Sequence, residues 1–204
     1  MNATTPPRRA GHGRHRDAIV EAAATLFRRQ GYAATGLADI LALAGAPRGS
    51  LYHYFPEGKA AIGTAAVERA GGLVAATLSA LVRDQRNAAD AVAAYGILLA
   101  GWMAGSDWRD GCPVTTVLLE ITPDLPGPTA AGARVLGEWV GILAEALVRD
   151  GVEAGRAMRL ARLAIAAIQG ALVHARVSRD AGPILETTGE IAAVLRAATP
   201  DLSR

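Results

Sequence analysis

AGAPRGSLYHYF, residues 44–55, follows LADILALA (37–44) and precedes PEGKAAI (56–62). Gly45 and Pro47 stop one helical pattern and start another within three residues. Glycine suits the left-handed position that closes a helix, and proline at a helix start forfeits an N–H that has no partner there anyway. In the short segment beyond, Leu51 and Phe55 stand four apart and form an anchoring side. Arg48, Gly49, Ser50, Tyr52, His53 and Tyr54 are left on the exposed and flanking faces.

Upstream, Ile19, Ala22, Ala23, Leu26 and Phe27 recur at i, i+3, i+4, i+7 and i+8, which predicts a helix over about 16–30. Gly31 ends it. Thr35 is placed to cap a second helix over about 36–44, its hydroxyl oxygen accepting a backbone N–H. Leu37, Ile40, Leu41 and Ala44 make that helix's inner stripe. Residues 1–14 are Pro-, Arg-, Gly- and His-rich without periodicity and read as a flexible basic arm carrying Arg8, Arg9 and Arg14.

Downstream the pattern is helical almost to the end, over about 58–84, 88–105, 113–122, 129–150, 155–178 and 184–198. A Gly-, Ser- and Asp-rich loop falls at 105–112, and TPDLPGP at 122–128 is a break. No repeat, sustained heptad or strand-like alternation occurs. The expectation is an all-α fold of about nine helices: the arm, a three-helix unit at 15–60, and a larger helical domain at 61–204.

Composition agrees. Apolar residues make up 51% of the 204 but aromatics only 4%, with alanine and glycine prominent, which favours close-packed helices over sheet. Cys112 is the single cysteine, so no intrachain disulfide forms, as suits a reducing cytoplasm. No unbroken apolar run approaches the ~20 residues of a membrane span. The N-terminus lacks the apolar stretch of a secretory signal. The expectation is a cytoplasmic protein with no membrane partner. The net charge of +2 is unevenly spread: residues 1–59 hold eight Lys/Arg against four Asp/Glu, the remainder thirteen against fifteen. The N-terminal unit is the one suited to a polyanion.

A helix entering a DNA major groove offers its N-terminal residues to base edges. Arg48 is a bidentate donor for guanine O6 and N7. Gly49 permits close backbone approach, Ser50 can donate to phosphate or base, and Tyr52, His53 and Tyr54 can bond phosphate or pack on a thymine methyl. Lys59 begins the next helix, where unpaired N–H groups and the dipole already favour phosphate. An isolated YHYF is ordinarily a core cluster. Here three of the chain's six Tyr and Phe residues fall within four positions, beside Gly-Ser and behind a glycine turn, an arrangement a core patch does not need.

Residues 16–62 resemble the DNA-binding domain of the TetR family of bacterial transcriptional regulators, through LFRRQGY, Thr35, ADI, AGAPRGSLYHYF and Lys59. PRGSLYHYFPEGK, with GCPVTTVLLE at 111–120, is similar to the branch of lincomycin-resistance and multidrug-efflux repressors. The resemblance implies DNA contacts from Thr35, Arg48, Gly49, Ser50, Tyr52, His53, Tyr54 and Lys59. Pro47 stands where the family commonly has Ser or Thr, and Ala60 and Ala61 where acidic residues often follow the lysine.

The resemblance also implies a homodimer in which helices about 155–178 and 184–198 pair with their counterparts. Leu160, Leu163, Ala167, Gly170, Ala171 and His174 supply one stripe, and Ile184, Ile191 and Leu195 another. The remaining helices would surround a small-molecule pocket walled by Tyr95, Leu99, Trp102, Val117, Leu118, Ile121, Trp139 and Ile142, residues that an ordinary filled core would use equally well. Glu120 is open to three roles: neutralising a cationic ligand, solvation, or pairing with an arginine. The chain has no phosphate-cradling Gly-rich loop, no HExxH, no Cys/His cluster at metal spacing and no nucleophile elbow, so neither an enzyme nor a cofactor is expected. The reading is a dimeric repressor on a near-palindromic operator, released by a small apolar or aromatic inducer. The alternative is a helical small-molecule binding protein without operator recognition.

Overall fold

The computed structural model describes residues 12–200, and Arg8 and Arg9 of the expected basic arm lie outside them. Among the described residues there are nine helices and no strand: α1 His12–Gln30, α2 Leu37–Ala44, α3 Arg48–Tyr54, α4 Lys59–Asp84, α5 Ala88–Gly105, α6 Thr115–Ile121, α7 Pro126–Arg149, α8 Ala154–Ser178 and α9 Gly182–Ala198.

Three boundaries differ from expectation. α1 starts at His12, which takes Arg14 out of the arm and into a helix. α7 starts inside the expected break, at Pro126, because proline is tolerated in a first turn. α2 is preceded by Gly36 rather than capped by Thr35, whose hydroxyl donates to the Gly31 carbonyl at 2.7 Å. The Asp39 carboxylate meanwhile accepts from the Gly36 N–H at 3.1 Å. Gly31 and Gly45 do take left-handed φ values, +88° and +58°.

Ile19, Ala23 and Phe27 of α1 are buried against Ile40 of α2 and Leu51 of α3, and Phe55 closes the little bundle. α4 then leaves this unit and runs along α7. Gly71 makes that contact close: a Cβ there would strike the Val135 side chain. Its carbonyl accepts from Trp139 Nε1 at 3.0 Å. α5 packs on α9, α7 on α8 and α8 on α9. Asn87 caps α5, and Glu153 caps α8 by accepting from the Gly155 and Arg156 N–H groups, each at 2.7 Å. Those bonds hold the Glu153 carboxyl below its ordinary pKa. α4, α5 and α8 are long and apolar enough to cross a membrane by length and composition alone, although none is an unbroken apolar run. Each buries one side in the bundle.

Candidate functional site

α3 is held by its own hydrophobic side. Leu51 and Phe55 are buried, and Arg16 lies over the Phe55 ring at 5.6 Å. That turns the opposite side outward: Arg48, Gly49, His53 and Tyr52, the last 70% exposed, with Ser50 and Tyr54 half-buried. His53 and Tyr54 meet edge to face, ring centroids 4.8 Å apart. Six of the eight expected DNA-contact residues therefore share one short helix.

Lys59 sits at the first turn of α4, its Nζ donating to the Ala33 carbonyl at 3.3 Å and lying 4.4 Å from the Tyr32 ring centre. Burial pulls its pKa below the ordinary lysine value, while Glu120 pulls it back up. Thr35 is the exception. Its side chain has no exposure, and its hydroxyl is committed to Gly31 and to the Gln30 amide. It shapes the turn between α1 and α2, so no phosphate contact from its side chain is available in this conformation.

A cavity of about 670 Å³ opens between the C-terminal half of α1, α4, α5 and the loop before α6. Tyr95, Leu99 and Trp102 line it as expected, and burial pushes the Tyr95 phenol pKa up. The other five expected wall residues do not. Val117, Ile121 and Trp139 are buried in the core, Leu118 packs on Gly132, and Ile142 is half-buried against the core. Periodicity identified their apolar faces, but those faces meet neighbouring helices. Leu73, Val74, Met103, Cys112, Gln169 and Leu172 take their place.

Glu120 is exposed, as one of its three readings allows, and has a further role that none of them foresaw. Its Oε1 accepts from the Tyr32 N–H at 3.0 Å and its Oε2 from the Ala33 N–H at 2.6 Å. The positive φ at Gly31 favours glycine, and a Cβ there would also push this carboxylate off its backbone partners. No local sequence signal pairs residues 88 positions apart. At the other end of α6, Thr115 Oγ1 donates to Oε1 of Gln169 at 2.8 Å.

The outward sides of α8 and α9 carry exposed apolar groups: Leu163, Val173 and Val177 on α8, Leu185 and Val194 on α9. Ile184, Ile191 and Leu195 face inward instead, and Ala171 is buried too. His174 is exposed on α8.

Residues 19–66 match the family described as bacterial regulatory proteins, tetR family, and residues 88–190 match the LmrA/YxaF-like transcriptional regulator C-terminal domain. An uncharacterized HTH-type transcriptional regulator of Mycobacterium tuberculosis is 33% identical over 194 residues, 93% of this chain and 98% of the relative. The chain belongs to the TetR family of transcriptional regulators. The HTH-type transcriptional regulator LmrA of Bacillus subtilis is 26% identical to this TetR-family protein, over 91% of this chain and 98% of its own length. Among solved structures, the regulatory protein TetR from Rhodobacter sphaeroides superposes with a TM-score of 0.77 at 25% identity, covering 88% of this TetR-family chain and 97% of its own. The α1–α3 unit is thus a DNA-binding helix-turn-helix domain.

Proposed function

We propose that this TetR-family regulator is a cytoplasmic homodimeric repressor of a near-palindromic operator, released when a small apolar or aromatic inducer enters the α1/α4/α5 cavity. The observation that carries the ligand response is the placement of α6. Through Thr115 it bonds Gln169, which lines the cavity, and through Glu120 it holds the turn between α1 and α2. One seven-residue helix therefore touches both the cavity wall and the DNA-binding unit. A ligand that displaces α6 must move that turn or break its bonds. To take a 1:99 balance to 99:1, the ligand must favour one conformation by ~10⁴-fold, ~5.5 kcal/mol. The dimer is supported by the exposed apolar groups on α8 and α9, since patches of that kind mark contact surfaces. Two α3 helices would then enter successive major grooves ~34 Å apart.

Operator reading is tested by fluorescence anisotropy against the upstream intergenic DNA and a shuffled control. Arg48→Ala is expected to cost ~1–3 kcal/mol and to relax base preference at one position of each half-site. Equal loss on every sequence would reduce Arg48 to a phosphate contact. Equal weak binding of the unaltered protein to both DNAs would favour the small-molecule binding reading instead.

The α6 connection is tested by Glu120→Gln, which offers one acceptor and one donor where two backbone N–H groups need two acceptors. With about 1 kcal/mol lost for such a bond, exchange of the Tyr32 and Ala33 amides is expected to accelerate on the order of fivefold. Unchanged exchange would remove α6 as the connection.

A further inference from the structure

The cavity lining changes character along its length. Against α4 and α5 it is apolar, with Leu73, Val74, Leu99 and Met103. Where the end of α1 meets the loop before α6 it becomes cationic. Arg28 and Arg29 both address one carboxylate, Asp110, with Nε at 2.9 and 3.3 Å. Arg28 Nε is closed off from solvent and, despite that proximity, forms no aligned hydrogen bond. At the opposite rim Glu21 is matched by Arg69, so that end is balanced.

Beside the cationic end lies a second cleft of about 700 Å³ that shares Arg29 and Ser106 with the cavity and adds Arg109, Arg176 and Arg179. Among the described residues Asp107 is its only lining carboxylate, already approached by Arg179 at 2.6 Å and Arg109 at 3.8 Å. Arg176 donates to the Arg29 carbonyl at 3.2 Å and has no carboxylate partner among the described residues. Across the junction, five guanidinium groups meet two carboxylates, a net of +3. Gathered like charges repel, and an anion placed among them relieves the repulsion and takes up donors that Asp110 and Asp107 leave over. Asp107 and Trp108 are both held at positive φ, +53° and +60°, a conformation unfavourable for residues with side chains, at the point where the loop borders this cleft.

We propose that the effector is an anionic amphiphile, its apolar body in the cavity and a carboxylate or phosphate head among these arginines, where it replaces Asp110 on Arg28. The inference rests on the reading of the cavity as the effector site and adds the chemistry of the effector. Because Arg29 belongs to α1 and Arg176 and Arg179 to the end of α8, the head group joins the DNA-binding unit to the outer helix pair.

The test titrates the full-length protein calorimetrically with four twelve-carbon probes below their micellar concentrations: dodecanoate, dodecyl phosphate, dodecanol and dodecyltrimethylammonium. At least one anionic probe is expected to bind about tenfold or more tighter than dodecanol, the scale of a charge-assisted bond, with the cation weakest. The better anion identifies the head group. Arg28→Gln with Arg29→Gln is expected to erase the preference, so that the anionic probes bind no tighter than dodecanol to the same variant. Arg109→Gln with Arg179→Gln, both on exposed side chains, should lower the preference severalfold. Equal or better binding of dodecanol or the cation would overturn the anionic assignment, and so would failure of all four to bind. Operator release by a neutral or cationic compound bound in the cavity would leave the effector site standing and remove only its proposed chemistry.

Discussion

Leu163→Asp combined with Val173→Asp is expected to convert the protein to monomers and to weaken operator binding by roughly 10²–10⁴-fold, the gain that linking two binding units ordinarily provides. Both side chains are outward on α8, 51% and 58% exposed within the protomer, so the substitution leaves the protomer core untouched. They share a stripe with Ala166, Gly170 and Val177, in which small residues allow close helix approach. In a paired interface each aspartate would be desolvated, a cost that outweighs ordinary apolar contact. Sedimentation at micromolar concentration reads the assembly, circular dichroism reads the fold, and anisotropy reads the operator. A folded double variant that stays dimeric would move the interface off α8.

Trp139→Ala is expected to lower stability by about 3–5 kcal/mol, through loss of a fully buried indole and the cavity it leaves. For a chain of this size that corresponds to a fall in Tm of about 10 °C. The Gly71 carbonyl also loses the Nε1–H that ties α7 to α4. Trp139→Phe separates the two contributions: it keeps most of the volume, forfeits the hydrogen bond, and should cost about 1 kcal/mol. A phenylalanine variant as damaged as the alanine variant would make the hydrogen bond, rather than the packing, the principal tie between the helices. Thermal and urea denaturation distinguish these outcomes.

Residues 37–55 made the DNA-binding unit legible because local rules act there. Gly45 needs a left-handed backbone, Pro47 precedes a helix, and the Leu51–Phe55 spacing defines which side of α3 is covered. The helices beyond were legible through their apolar periodicity, and the start of α9 through Gly182, whereas the start of α7 at Pro126 was hidden because that proline falls in a segment read as a break. Legibility failed where the answer depends on what lies opposite. Trp139 and Val117 have the pattern of a cavity wall, yet Trp139 faces Gly71 and Val117 the core. Ile184, Ile191 and Leu195 form a good stripe that is turned inward. Thr35 was expected to cap α2, and the resemblance implied a DNA contact from it, while its hydroxyl is used internally one turn earlier. Glu120 was unreadable because its partners are backbone N–H groups, which every residue but proline possesses.

The tie between Gly71 and Trp139 also sets a mechanical advantage. α4 runs unbroken from Lys59 to Asp84, and Gly71 lies twelve residues along it, about 18 Å from Lys59 at 1.5 Å per residue. Were α4 to tilt by about 5° about that point, its first turn would swing by about 1.6 Å, and in the proposed dimer two symmetry-related arms moving oppositely would change their separation by about 3 Å. That approaches the rise of one base pair. In the proposed dimer, a small tilt about the middle of one helix would thus become nearly a base-pair step of misregister on DNA.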